Sequence, residues 1–468
     1  MQIPIVTGIY TDSDADFRIS YPVNMRPIIK DTGLSAGYLR PVEGIVKTGT
    51  GPGVSRGAIN WDGSLYRVMG SKLCRITSDG DISILGDVGN NSKQVSFAYS
   101  FERLAIASDE RLFYLSNNTL EEVTDPDLGR VLDVTWVDGY FMTTDGAFLV
   151  VTDLSNPFNV NPLKYGSSEI DPDPVVAVVK LRNEIYAVNR YTIEVFNNVG
   201  GAFFPFQRVN GAQIQRGALG THCVAVYEEN LVFLGSAPGE SPGVYIASSG
   251  KSSKLSSREI DDILDEYTED QLSEVILDVV SDRGHALLWV RLPDKTLVFD
   301  GASSQSAGSP IWYRMSSSTD ESLQPYRAID VVWCYSGWQV ADSQSFDIGV
   351  LDESISTHFG DTVYWEFSTS IVYNEGKGAQ FHSIELVGLP GRVAFGEDAY
   401  ISTSYSLDGM TWSQQRPLNI GTRGDRKRRL VWRRQGSMRN FRIQKFTGDS
   451  RAYLAIARLE VELEPLNA

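Results

Sequence analysis

Cysteine is scarce in this 468-residue sequence: there are three, Cys74, Cys223 and Cys334, far apart and without a C-x-x-C pair. So sparse and odd a set excludes a disulfide framework and is expected of buried thiols in a reducing cytosol. Histidine is nearly as rare. The four, His222, His285, His358 and His382, show no H-E-x-x-H or H-x-x-x-H spacing, which removes support for a zinc hydrolase. No apolar run reaches the roughly 18 residues that span a membrane. The opening MQIPIVTGIYTDSDADF has neither a basic n-region nor an apolar h-region, so no membrane anchor and no signal peptide are expected, and the product is expected to be soluble and intracellular when made. Positive charge is in deficit as well. A formal net charge of −17 argues against a general nucleic-acid binder, although one basic run stands out.

What is abundant is glycine, 42 residues, with many Tyr, Phe, Val, Ile and Thr, a composition of short strands and tight turns. GSLYRVMGSKLCRITSDGDISIL sets a pattern of apolar strand, polar turn, apolar strand. Comparable stretches recur, among them RLAIASDERLFYLSNNTLEEV, GYFMTTDGAFLVVTD, NEIYAVNRYTIEVF and HALLWVRLPDKTLVFD. Their spacing of about 40–55 residues is that of β-propeller blades. The count comes to about seven blades, with six the alternative if one unit is an insertion or a split blade. Each small sheet is apolar on both faces and must pack between neighbours to hide them. The fold class expected is therefore all-β: a propeller over residues 56–360, an extended segment at 1–55 joining it, and, where the texture changes to longer alternating strands, a β-sandwich-like domain at 361–468.

A helical insertion around 257–279 interrupts the blades. Ile260, Ile263, Leu264 and Tyr267, then Leu272, fall at helical spacing, and Thr268 with Gln271 resembles a capping box between two short helices. These five residues are candidates for a contact with a neighbouring subunit; the alternative is packing on their own blade.

Catalytic, cofactor and metal motifs are expected to be absent. SSGKSS has Tyr245 where a phosphate loop needs its first glycine, and GTGPGVSRG has Val54 where a dinucleotide loop needs its third. Asp12, Asp14 and Asp16 open like a calcium loop, but Phe17 and Val23 occupy the required glycine and glutamate positions. SYSLDGMTWS resembles the Asp box of sialidase-type propellers, which would make the chain a carbohydrate-binding protein or glycosidase. Asp408 is followed directly by Gly409, however, which predicts a type I′ hairpin with Trp412 over the sandwich core. The basic run is more informative. Arg423, Arg426, Lys427, Arg428, Arg429, Arg433 and Arg434 crowd one region of an acidic chain. Strand alternation turns Leu430 and Trp432 inward and Arg429 and Arg433 outward. This segment is expected to face a protein partner or an acidic subunit surface, with direct DNA contact the alternative and edge protection the structural reading.

Several short motifs in order resemble the packaged-DNA stabilisation proteins (tail accessory factors, or tail hubs) of Lederbergvirus-type short-tailed phages. They are PVNM at Pro22–Met25, GYLR at Gly37–Arg40, Gly44-Ile45 and GVSRG at Gly53–Gly57. Tyr66-Arg67-Val68 with Gly70, Lys72 and Leu73 follows, then Gln215, Gly217, Gly220-Thr221 and Cys223. EYTEDQL at Glu266–Leu272, ASSQ at Ala302–Gln305, and Trp432, Arg434 and Gly436 complete the series. The resemblance implies a non-enzymatic virion protein, made in the host cytoplasm, that assembles as a homo-hexameric ring below the portal and its adaptor protein. It further implies a part in retaining packaged DNA, incidental contact with that DNA, and a platform for the tail needle and tailspike.

Overall fold

The computed structural model describes every residue except 13–16, 21, 31–35, 249, 375–376, 394–395 and 467–468; of 10–12 and 17–20 only the backbone is described. The acidic stretch at Asp12–Asp16 therefore lies outside the described side chains. The chain divides into two compact units: residues 1–46, 281–327 and 351–468, and residues 47–280 with 328–350. Strands at the boundaries, such as Gly44–Thr50, run through both.

Seven small antiparallel sheets of three to five strands occupy residues 44–352. In the second unit, successive sheets stack by their apolar faces. Tyr66, Val68 and Leu73 of one meet Leu104, Ile106 and Phe113 of the next. On its other face that next sheet presents Ala105, Leu112 and Tyr114 to Val134, Phe141 and Val150. Val137, Met142 and Val151 continue against Val178, Ile185 and Phe196. The sheets at 96–122 and 133–151 are thus buried on both faces, as the strand–turn–strand repeat requires. The turn after the first strand of a sheet commonly places two residues at positive φ. Asp62 and Gly63 (50° and 71°) do so with the favoured pair, whereas Glu228 and Glu229 (45° and 61°) do so without glycine. Gly217 and Gly220 serve close approach instead: a Cβ on either would lie 2.0 Å from the Asn189 carbonyl oxygen or 1.9 Å from that of Ser273.

The insertion forms two helices, α1 (Arg258–Leu264) and α2 (Glu269–Ser273). Thr268 accepts from the Gln271 N–H while the Gln271 side chain accepts from the Thr268 N–H, the reciprocal cap expected.

The first unit holds the sandwich. One sheet has the strand order Leu430–Arg433, Ala379–Gly388, Ile456–Pro465, Gly37–Pro41, Met25–Ile29; the other runs Tyr364–Ser368, Phe441–Asp449, Tyr400–Ser406, Arg416–Asn419. Alternation along Ile456–Pro465 turns Leu459 and Val461 inward and Glu460 and Glu462 outward. The inward residues share a core with Trp365, Phe367, Ile401, Trp432 and Phe446, in which Phe367 and Phe446 stack at 5.2 Å. The N-terminal segment departs from expectation. Gln2–Ile3, Met25–Ile29 and Gly37–Pro41 join this sheet and do not form an extended lead into a propeller. Their apolar residues Ile3, Met25 and Leu39 complete the sandwich core, a non-local pairing that no local pattern announces.

The first unit also carries the small-sheet strands His285–Arg291, Thr296–Asp300 and Trp312–Met315, with helix α3 (Gly301–Ala307) between the last two. Asp300 caps α3 and receives Arg26 Nε at 3.1 Å; Arg26 also donates to Asp282 at 2.5 Å, and Arg40 to the same carboxylate at 2.6 Å. The network is buried, so its charges depend on one another for stabilisation.

Candidate interaction surfaces

The basic segment is built on the sandwich edge. Leu430–Arg433 is the edge strand, held to Ala379–Gly388 in the register Arg433 opposite Ser383 and Leu430 opposite Leu386. Leu430 and Trp432 are buried and Arg429 and Arg433 exposed, as alternation predicts. Arg429 grips Glu385 through two bonds of 2.8 and 2.5 Å, and Arg428 Nε donates to the Asn419 carbonyl at 2.8 Å. The Arg423, Arg426, Lys427, Arg433 and Arg434 side chains are exposed and make no ion pair among the described residues. Two guanidinia thus fix the segment and the remaining cations face solvent.

The helical insertion presents the opposite sign. Ile260, Ile263, Leu264 and Leu272 are buried within their own unit, and Tyr267 is half-buried. The surface left to α1 and α2 is acidic: Asp262, Asp265, Asp270 and Glu274 are exposed. Asp261 is held by Lys254 at 2.5 Å and Glu269 by Arg190 at 2.7 Å.

A third surface was not anticipated. In the second unit Trp61, Phe97, Tyr99, Phe101 and Trp136 line a cleft of about 570 Å3 with Lys180, whose ammonium lies 4.9 Å from the Trp136 ring centre. Phe101, at 96 % exposure, projects from a turn. Phe97, Tyr99 and Phe101 alternate along and just beyond one strand, Ser96–Tyr99, a spacing visible in the sequence, whereas Trp61, Trp136 and Lys180 come from other strands that no local spacing links to it.

Reactive groups elsewhere are held passive. Gly53–Gly57 has the G-x-S-x-G spacing of a nucleophile elbow, but buried Ser55 donates directly to Asp330 at 2.5 Å and accepts from Arg67 at 2.9 Å. Both contacts tie the hydroxyl down as a structural link. All three cysteines are free and buried; burial pushes the Cys223 thiol up to about 12 and Cys74 to about 11, far from thiolate chemistry. Burial also pushes His222 down to about 4 and His358 to about 3, leaving both neutral. Glu43, Asp282 and Glu353 bring carboxylate oxygens within 4.8 Å of one another, a possible cation seat. Arg26 and Arg40 already donate to Asp282, so guanidinium supplies the positive charge a metal would bring.

SYSLDGMTWS does not form the type I′ turn expected. Gly409 has φ 78° but Asp408 does not share the left-handed region. The Asp408 carboxylate instead accepts from the Thr411 hydroxyl and from the Thr411 and Met410 N–H groups at 2.7 and 2.9 Å, which shape the loop and hold the carboxyl pKa well below the usual carboxylate range. Trp412 lies outside the core, 37 % exposed, under Lys445 Nζ at 4.6 Å. The local cap of the loop overrides the two-residue turn that Asp-Gly favours, and the strands Tyr400–Ser406 and Arg416–Asn419 pair across a longer loop.

A succession of small double-buried sheets followed by a two-sheet sandwich defines a β-propeller protein with a C-terminal β-sandwich. Two family models match in that order: "Bacteriophage P22 Gp10, beta-propeller" over residues 1–356 and "Bacteriophage P22 Gp10, beta-sandwich" over 364–464. The chain belongs to the bacteriophage P22 Gp10 family. It is 26% identical over 488 aligned residues to the tail hub protein gp10 of Salmonella phage P22, covering 99% of each chain. Among solved structures, the WD40 domain of Neurospora crassa Pan2 is similar at a TM-score of 0.42 and 8% identity, covering 67% of this chain and 96% of that one. A gluconolactonase of Xanthomonas campestris reaches 0.34 and 12%, covering 75% and 98%.

Proposed function

We propose that this chain is a tail hub: a non-enzymatic virion protein, made in the host cytoplasm, that assembles with copies of itself as a ring below the portal and its adaptor protein. In this reading it helps retain packaged DNA and docks the tail needle and tailspike. The observation that carries the proposal is the end-to-end match, propeller and sandwich together, with a relative that is a tail hub protein. The physical reading agrees. The strongest features of the surface are charge-segregated patches and exposed aromatic rings, which serve recognition, while the three cysteines and Ser55 are buried.

The test is localisation and mass in the particle. Purified virions of the encoding phage carry the protein in their tails, and particles made without it lose packaged DNA and bind neither needle nor tailspike. Tails that are complete and retain DNA in its absence would overturn the proposal.

A further inference from the structure

Two oppositely charged surfaces of this chain lie on different units and use different elements. Between residues 423 and 434 there are seven basic residues and one acidic one; between 258 and 274 there are eight acidic residues and one basic one. Each surface keeps charges in reserve. Arg423, Arg426 and Arg433 are exposed without an ion pair among the described residues, and so are Asp262, Asp265 and Asp270. Each is also rigidly based. The arginine edge is carried by a strand whose Trp432 and Leu430 enter the sandwich core. The acidic face is carried by helices whose Ile260, Leu264 and Leu272 are buried, the second of them N-capped by Thr268.

We propose that the arginine edge of one copy docks head to tail on the acidic outer face of α1 and α2 in a neighbouring copy. The occupant follows from charge. A cluster this basic on a chain of net charge −17 meets its complement on another molecule of the same chain, where the apolar side of the helices is already spent inward and carboxylates outnumber the other exposed side chains, Arg258, Thr268 and Gln271. Because the two surfaces differ, the contact is heterologous, so it repeats about an axis without using up its own partner surface, which suits a closed ring. This deepens the hub reading and rests on it. It makes the helical insertion an intersubunit element through its acids, while the residues that gave it away as helix stay in the core.

The test uses the full-length protein with one surface reversed at a time: Arg426→Glu with Arg433→Glu, or Asp262→Arg with Asp265→Arg. All four positions are exposed, and circular dichroism and thermal unfolding verify that each variant folds. Association is read by sedimentation velocity of the free protein and by its occupancy in purified tails. Each variant alone is expected to associate at least about tenfold more weakly and to lose the salt dependence of the parent. An equimolar mixture of the two is expected to recover, because each supplies the surface the other lacks in native or in reversed form. Recovery in the mixture also separates pairing between copies from pairing within one chain, which mixing cannot restore.

Weakening by the arginine reversal alone, with the aspartate reversal silent, would overturn the proposal in favour of DNA or another acidic partner. Two silent variants in a parent that does associate would overturn it while leaving the hub reading intact. A parent that never associates, free or in tails, would sink the hub reading as well.

Discussion

Two buried arginine sites, one in each unit, are satisfied in opposite ways. In the second unit buried Arg56 spreads its donors over neutral acceptors: the carbonyls of Lys93, Gly70 and Gly89 at 2.7–2.9 Å, with Asn91 and Ser108. It pins turns of adjacent small sheets without any carboxylate in bonding range. In the first unit Arg26 and Arg40 are answered by Asp282 and Asp300. A guanidinium held by carbonyls keeps its bonds at any moderate pH, whereas one held by carboxylates shares their titration. Stability at the Arg26–Arg40 site is therefore tied to charge, and at the Arg56 site to backbone geometry.

That contrast can be broken most severely at Arg26. Arg26→Ala leaves Asp300 and Asp282 buried and under-compensated, and is expected to cost about 3–5 kcal/mol, read by urea unfolding followed with Trp fluorescence. Arg56→Ala removes donors from several buried neutral acceptors but strands no charge. A loss of about 2–3 kcal/mol is expected in the same measurement, and a loss equal to that of Arg26→Ala would erase the distinction.

The pH dependence sharpens it. Burial first, then the neighbouring Asp282, raises Glu43 from an ordinary 4.5 to about 7. The folded protein keeps that proton where the unfolded chain has lost it, so this carboxyl's share of stability declines as pH rises from 4.5 through about 7. His358, pushed down from 6.5 to about 3 by burial, acts in the opposite sense: its share is present above 6.5 and is lost as pH falls toward 3. Glu43→Gln is expected to remove the first slope and leave the second, measured as urea midpoints from pH 4 to 8 (roughly the window in which maximal stability is found). Unchanged pH dependence in Glu43→Gln would detach the carboxyl from the network.

Smaller effects test the surfaces. Thr268→Ala is expected to cost about 1 kcal/mol by loss of the reciprocal cap, detected as faster amide exchange in α2. Arg426→Glu is expected to change unfolding stability by less than about 0.5 kcal/mol, which would mark the arginine edge as a recognition element.

Much of this architecture was legible because it is local. Strand–turn–strand repeats, the Asp62-Gly63 turn, the Thr268–Gln271 cap and the alternation of Leu430 and Trp432 with Arg429 and Arg433 each depend on residues within a few positions. The misreadings came where distant or competing contacts decide. Met25 and Leu39 belong to a core most of whose members lie more than 300 residues away. Asp408 caps a longer loop between the paired strands Tyr400–Ser406 and Arg416–Asn419 and does not take a place in a two-residue turn. The aromatic cleft gathers rings from separate strands, and helical spacing at Ile260 and Leu264 cannot say whether the apolar face meets its own unit or another.

By itself, the sequence determined the all-β class, the blade repeat, the two short helices, the arginine edge and the family, because periodicity, turn chemistry and motif order are properties of neighbouring residues. Tertiary structure alone decided that the N-terminal strands complete the sandwich, that the helices turn carboxylates and not leucines outward, and that the buried arginines divide between carbonyls and carboxylates. Those outcomes depend on which distant surfaces exclude water together, and no local pattern carries that information.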